Sequence, residues 1–405
     1  MNLRRTFAAV IKYRNYRLWF FGQMLSLFGS WMQLTAQGFL VFELTKSPAY
    51  LGYVSFATGL PSWLFVLYGG VIADRMARRT LLLITQSCMM LLGAALATVT
   101  FMGHVQPWHI IVLAFCLGVA NAFDAPARQA FVLELVERED LSNAIALNST
   151  LFNCAVMVGP AAAGVVYAWI GPAWCFVFNA ISFIGIIAAL LLIRVKTLSS
   201  QAAAPAALAS LVEGLRYTTS NSLIRSIIGL VAVTCLFGFS FATIIPAWSV
   251  HVLHGDAATN GLLQSARGCG ALISALLIAS LGRFPVKGRL LMAGMFLYPL
   301  VLLLFAIERQ TWLALVLMVG VGITLLLTLN LANVLLQTHV ADHVRGRVMS
   351  VFSLIQFGLM PIGGLLAGVA ASAIGEPATI ITNCIVSFAC ALAIWIYVPQ
   401  IRKLA

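Results

Sequence analysis

The sequence predicts an all-α integral membrane protein, with twelve transmembrane helices arranged as two six-helix halves. Three observations carry that prediction. Hydrophobic residues make up 61% of the 405-residue chain and charged residues only 9%, whereas soluble domains are about 45–50% apolar and about 25% charged. Apolar runs of about 20 residues, the length of helix that crosses a ~30 Å hydrocarbon core, recur between short polar breaks. The Lys and Arg residues gather in alternate breaks.

In order, the runs are centred near residues 30, 61, 91, 115, 155, 184, 238, 271, 299, 323, 360 and 388. With a cytoplasmic N-terminus, Arg4, Arg5, Lys12, Arg14 and Arg17 precede span 1, while Arg75, Arg78 and Arg79 follow span 2. Arg128 and Arg138 follow span 4, and Arg194, Lys196, Arg216 and Arg225 lie between spans 6 and 7. Arg283, Lys287, Arg289, Arg345, Arg347, Arg402 and Lys403 continue the pattern. Of the 24 Lys and Arg, only Lys46 and Arg309 face the other side, and Arg267 falls inside span 8. This positive-inside bias predicts a multi-pass cell-membrane protein, such as one of a bacterial inner membrane, with both termini cytoplasmic. The net charge of +12 is thereby assigned to topology, and a nucleic-acid surface is excluded. The basic N-terminus resembles a signal peptide, but span 1 exceeds 20 residues without a cleavage site, so it reads as retained. All eight cysteines lie within spans without a CxxC pair and read as small buried hydrophobes.

The longest internal polar stretch divides the chain into residues 1–194, a cytoplasmic linker at 195–222, and residues 223–405. The linker's Ala-rich middle, with Leu211, Val212 and Leu215, fits a short helix on the membrane surface or a plain flexible connection. The halves echo each other: "NSTLFNCAVMVGPAAAGVV" at 148–166 aligns with "MSVFSLIQFGLMPIGGLLAGVA" at 349–370, placing Ser149 on Ser350 and Pro160 on Pro361. Transporters built from such repeats bind substrate near mid-depth between the halves.

One stretch stands out for its charge. In "GVIADRMARR", Asp74, Arg75, Arg78 and Arg79 crowd together between two apolar runs. With Gly70, they resemble the loop signature of the major facilitator superfamily, with Ala77 where a second glycine is usual. "NYRLWFFGQMLSLFGSWMQ", "FELTKSP", "FDAPARQAF" and "RGRVMS" are similar to the exporter branch that includes enterobactin-type siderophore exporters and drug–proton antiporters. The resemblance covers nearly the whole chain and implies a gating cluster of Gly70, Asp74, Arg75, Arg78, Arg79, Asp124 and Arg128. Gly70 is expected to let span 2 approach a neighbour closely. Asp74 is expected at the positive N-terminus of span 11, near Val348 to Val351, and Arg78 is expected to pair with Asp124. In span 5, Gly159, Pro160 and Gly164 resemble the antiporter motif of exporters; proline bends a helix and glycine thins it.

Polar side chains inside spans are costly and tend to face a cavity. Gln23, Ser26, Ser30, Gln33 and Gln37 advance by three or four residues and share one face of span 1. Asn121, Asn153, Asn330, Asn333, Gln337 and Gln356 are further cavity candidates. Trp31, Phe39, Trp63, Phe123, Phe239 and Trp248 suggest an amphipathic, partly aromatic substrate. Arg267 is expected at depth in span 8, where an arginine costs roughly 2.5–3.5 kcal/mol by insertion scales. It either snorkels to the interface or lines the cavity and meets an anionic group. Asp124 and Glu43 are the only acids within reach of a span and so the candidates for proton coupling.

His339 and His343 have i, i+4 spacing but lack a third ligand, so no metal is expected. There is no Walker, G-x-S-x-G or H-E-x-x-H motif, no cofactor is implied, and no paired catalytic residues suggest an enzyme. The resulting expectation is a monomeric, proton-coupled secondary exporter of a small amphipathic molecule such as a siderophore or drug. The alternative is an importer or uncoupled facilitator of a metabolite or lipid.

Overall fold

The computed structural model describes residues 7–194, 207–281, 287–398 and 400–401, with some helical side chains left out, Asp74 among them. Arg4, Arg5, Lys196, Arg283, Arg402, Lys403 and residues 195–206 of the linker lie outside the described residues. Among the described residues all regular structure is helical. The long helices are α1 (Arg14–Thr45), α2 (Pro48–Arg75), α3 (Arg78–Phe101), α4 (Pro107–Leu135), α5 (Leu141–Ile170) and α6 (Pro172–Leu192). They are followed by α7 (Ser222–His251), α8 (Ala257–Leu281), α9 (Lys287–Ile307), α10 (Thr311–His339), α11 (Asp342–Ile374) and α12 (Glu376–Tyr397). Each centre read from the sequence falls inside one of them. Ten, α3 to α12, are long and apolar enough among the described residues to cross a membrane.

Local chemistry sets the boundaries. Pro48, Pro107, Pro172 and Pro377 sit in first turns, where the missing N–H is no loss. Gly171 (φ 96°) and Gly375 (φ 84°) turn the chain between α5 and α6 and between α11 and α12. That conformation disfavours any residue with a Cβ. α7 is interrupted by a π-helical turn at Thr234–Gly238.

Three apolar cores form. One draws its buried residues from Ile224 onward, with Leu211 and Tyr217 of the linker helix packed against it, and a second draws on residues between Ala9 and Ile193. The third joins Met32, Leu40, Ala163 and Phe176 to Ala247 and Ala257, and so fastens the two groups of helices to each other.

One end of the bundle is built around basic residues. The Arg79 guanidinium donates from Nε to the Leu190 carbonyl at 2.6 Å, tying α3 to the end of α6. Before α1, the short helix Ala8–Lys12 is pinned where Ala9 N donates to Asn143 Oδ1 at 3.0 Å. The Asp140 carboxylate accepts from Lys12 Nζ at 2.9 Å and from the Tyr13 hydroxyl at 2.8 Å. These bonds, Lys12 first, hold the Asp140 carboxyl below its ordinary range. The linker does form a helix, Ala207–Ser220, but it docks on the protein. Its Gly214 lies against the Arg347 backbone, where a Cβ would come within 2.5 Å, and Glu213 pairs with Arg347. Val212 and Leu215 stay exposed.

Candidate functional site

Two glycine seams join the helices before the linker to those after it. Between α5 and α8, a Cβ on Gly164 would lie 2.8 Å from the Ala257 carbonyl, and one on Gly268 would lie 2.8 Å from Met157 Cα. Gly261 lies directly under the Pro160 carbonyl. Between α2 and α11, a Cβ on Gly368 would sit 2.7 Å from the Pro48 carbonyl and one on Gly52 3.0 Å from that of Leu365. Gly59 lies against the Pro361 ring. Pro160 and Pro361, aligned by the sequence repeat, thus each face a glycine across a seam. The antiporter-like triplet takes part through two of its members: Pro160 and Gly164 meet α8, whereas Gly159 meets Trp31 of α1 within its own group.

The seams occupy only part of the bundle's depth. Among the described residues, the glycine contacts between the two groups run from mid-helix to the end away from the basic residues. Phe42 and His251 complete that end, edge to face at 5.1 Å. At the basic end, a Cβ on Gly70 or Gly346 would meet nothing within 4 Å.

This geometry revises the gating cluster. The close approach expected of Gly70 belongs to its neighbour Gly69, which abuts the Ala122 carbonyl of α4. Arg78 does not pair with Asp124: its guanidinium donates to Glu134 Oε1 at 2.8 Å and to the Ala130 carbonyl at 3.4 Å. Asp124, 1% exposed, accepts from the Thr85 hydroxyl and from Gln86 Nε2, both at 2.8 Å. Arg128 Nε stands 3.6 Å from its other oxygen. Arg75 is exposed. The Asp74 side chain, expected at the start of α11, lies outside the described residues.

The polar face of α1 exists, but part of it faces inward within its own group. Gln33 Oε1 accepts from Asn179 Nδ2 of α6 at 2.7 Å, Ser26 reaches Gln86 of α3 at 3.5 Å, and Ser30 donates to its own helix. Gln23, Gln33 and Gln37 are buried. Asn179, Thr85 and Gln86 were not singled out by sequence reasoning; their polarity within apolar helices was the available signal. By contrast, Asn121, Asn153, Asn330, Asn333 and Gln356 are half-buried, with Asn333 accepting from Gln337 at 2.6 Å. Trp248 is not a cavity residue. It is fully buried and stacks on Phe305 at 4.8 Å.

Glu43 lies at the end opposite the basic residues, where it accepts from the Tyr167 hydroxyl. With Phe39, Lys46 and Asp256 these two line a pocket of about 440 Å³ between α1, α5, α7 and α8. Nearby, His251 Nδ1 and Glu376 Oε1 are 2.8 Å apart. Neither residue had been singled out, although each is a lone polar residue at a span end.

Arg267 does not snorkel. It is 6% exposed, about 15 Å along α8 from Ala257 at ~1.5 Å per residue. Its guanidinium carbon lies 5.4 Å from the centre of the Phe239 ring, and its Nε has no hydrogen-bond partner.

The chain matches the family described as transmembrane secretion effector over residues 6–404. It is 26% identical to the Staphyloferrin A transporter of Staphylococcus aureus over 362 residues, covering 88% of this chain and 90% of that protein. It is 25% identical to the Macrolide efflux protein A of Streptococcus pyogenes over 381 residues, or 90% and 92% of the two chains. The fold is that of the nucleoside transporter NupG, with a TM-score of 0.72 at 16% identity over 98% of each chain. An all-helical bundle with membrane-crossing helices and a full-length family match leave one assignment: the chain belongs to the transmembrane secretion effector family of the major facilitator superfamily and is a multi-pass membrane transporter, not an enzyme.

Proposed function

We propose that the protein is a proton-coupled secondary exporter of a small amphipathic molecule, working by alternating access. One observation carries this reading: the glycine seams and the Phe42–His251 contact close one end while Gly70 and Gly346 stand free at the other. In this reading twelve helices cross the membrane as two halves, residues 1–194 and 223–405, joined by the linker at 195–222. The basic end is cytoplasmic by the positive-inside rule, in a bacterial inner membrane. The cavity, lined in part by Asn121, Asn153, Asn330, Asn333 and Gln356, opens there. The gating cluster engages when it closes, with Asp74 meeting the start of α11. The protein acts as a monomer.

The name of the relative Macrolide efflux protein A supports efflux as the direction. The test is accumulation of fluorescent dyes and macrolides in cells with and without the gene, before and after collapse of the proton gradient. Lower accumulation that disappears with the gradient is the expected result. Equal accumulation in both strains contradicts export.

A second reading, uncoupled transport, is favoured by the carboxylates. Asp124 is already satisfied by Thr85, Gln86 and Arg128 within one half, and Glu43 lies at the closed end. If Asp124 carries the proton, Asp124→Asn abolishes pH-driven transport in proteoliposomes but leaves downhill exchange. Loss of both makes Asp124 structural and favours the uncoupled reading.

A further inference from the structure

Arg267 presents a physical problem that its neighbours do not solve. A buried cation is ordinarily matched by a nearby carboxylate. Here no Asp or Glu lies within ion-pair distance among the described residues. The guanidinium stands over the face of Phe239, an attraction that takes up no N–H group, and its Nε is without a hydrogen-bond partner among the described residues. Phe239 is the residue that ends the π-helical turn of α7, its N–H donating to the Thr234 carbonyl at 2.7 Å. Such turns recur at functional sites because they re-aim the side chains that follow.

The surroundings repeat the imbalance. Asn260, Gln264 and Arg267 follow one another on one face of α8. Gln264 Nε2 donates to Asn260 Oδ1 at 3.2 Å, while the buried Asn260 Nδ2 has no partner among the described residues. Every buried side-chain nitrogen or oxygen that lacks a partner among the described residues is an N–H or hydroxyl group; no amide or carboxylate oxygen is among them. The backbone under Arg267 is fixed, since Gly322 of α10 packs directly on its carbonyl. The backbone of the arginine is held in place while its Nε–H has no partner among the described residues.

We infer that Arg267, with Asn260, Gln264 and Phe239, is an anion-recognition site, and that the cargo carries a carboxylate or phosphate group. This rests on the transporter reading above and narrows its substrate class. The planar guanidinium accepts two oxygens of one oxyanion side by side, which a lysine ammonium does not. An amine-bearing cargo would meet like charge with no carboxylate to offset it. The same oxyanion chemistry also belongs to phospholipid headgroups.

The test uses the full chain in nanodiscs of zwitterionic lipid and four probes with one hydrocarbon tail: 4-phenylbutyrate, 4-phenylbutyl phosphate, 4-phenylbutylamine and 4-phenylbutanol. Binding is read by thermal unfolding. The two anions are expected to raise the melting temperature and the amine and alcohol are not. Arg267→Gln is expected to weaken anion binding at least tenfold, and Arg267→Lys to fall between. Should Arg267→Gln not fold, the ranking of probes on the native protein still decides. Nanodiscs containing phosphatidylglycerol separate the sources: if that lipid alone stabilises the native protein through Arg267 and removes the probe effect, the anion is a headgroup. The inference is overturned if the amine or alcohol protects as well as the carboxylate, if no probe shifts the transition, or if Arg267→Gln binds the anions as tightly as the native chain. Loss of export with anion preference intact removes the export reading alone; loss of preference with export intact removes this one alone.

Discussion

The two ends of the bundle are built by opposite means. The end away from the basic residues is held by close approach at glycine: Gly164, Gly261 and Gly268 meet backbone in one seam, and in the other Gly52 and Gly368 meet backbone while Gly59 meets the Pro361 ring. At the basic end, side chains act inside the group of helices before the linker: Arg78 with Glu134, Arg79 with the end of α6, and Lys12 with Asp140. In a membrane no hydrophobic force drives helices together, so such seams rest on van der Waals packing that small residues permit. Ion pairs within a group keep it rigid while it moves. A transporter that rocks between two closures needs both properties.

The sharpest way to break this contrast is to wedge a seam. Gly261→Leu places a side chain where the Pro160 carbonyl now lies. The closed end then cannot close, and transport is expected to fall more than about tenfold, with overpacking worth about 1–3 kcal/mol set against that closure. Efflux assays at matched expression measure it, and near-normal transport would remove the seam from the mechanism.

Next in size is the pair that anchors α3 to α4 at the basic end. Arg78 and Glu134 side chains are 19% and 10% exposed, so removing one partner leaves a largely desolvated charge. Glu134→Gln is expected to cost about 2 kcal/mol, below the 3–5 kcal/mol of a fully buried pair. It should appear as a lower melting temperature, with partial rescue by Arg78→Gln in the same chain. Additive losses in the double variant would show that the pair is not coupled.

Adjacent glycines give a smaller and cleaner contrast. Gly69→Val strikes the Ala122 carbonyl, whereas Gly70→Val points into space. The first is expected to lower the melting temperature by several degrees and the second by little, although Gly70→Val should still slow transport if that surface is buried when the basic end closes. Equal melting temperatures contradict the packing described.

The smallest effect is a pH dependence. The Asp140 carboxyl is lowered in the folded protein by Lys12 and then Tyr13, so the stability it adds is present above the ordinary aspartate value of about 3.9 and is lost as pH falls through its folded value. Hydrogen exchange at residues 8–12 should therefore be flat from pH 8 to about 5 after correction for intrinsic rates. It should rise only below about pH 4. A rise near pH 6 would point to a different titrating group.

How far the sequence could be read follows from what each inference required. Span positions depend on composition along one stretch, and every expected centre lies in a helix. The Pro160–Pro361 repeat was legible as a pattern, and the two prolines take corresponding places in the seams. Pairings between helices were harder. Asp124 and Glu134 lie on one helix, ten residues or about 15 Å apart at 1.5 Å per residue, and nothing in the linear pattern says which one Arg78 reaches. Gly69 and Gly70 differ by about 100° around a helix of 3.6 residues per turn, so a motif locates the close approach only to the nearest neighbour. The polar stripe on α1 was read correctly as one face. What it meets depends on Asn179 and Gln86, more than 50 residues away in sequence. Arg267 was legible as an anomaly; that no carboxylate among the described residues answers it required the fold.

The central claim is that the two ends are mutually exclusive, one opening as the other closes. Spin-label distances test it directly, in a background whose native cysteines are replaced. One pair, at Arg138 and His343, spans the basic end, and another, at Trp169 and Gln310, spans the opposite end; all four positions are exposed. Introducing Gly261→Leu is predicted to lengthen the Trp169–Gln310 distance and shorten the Arg138–His343 distance together. Lengthening of the first with no change in the second, or movement of both in the same direction, would contradict alternating access through these seams.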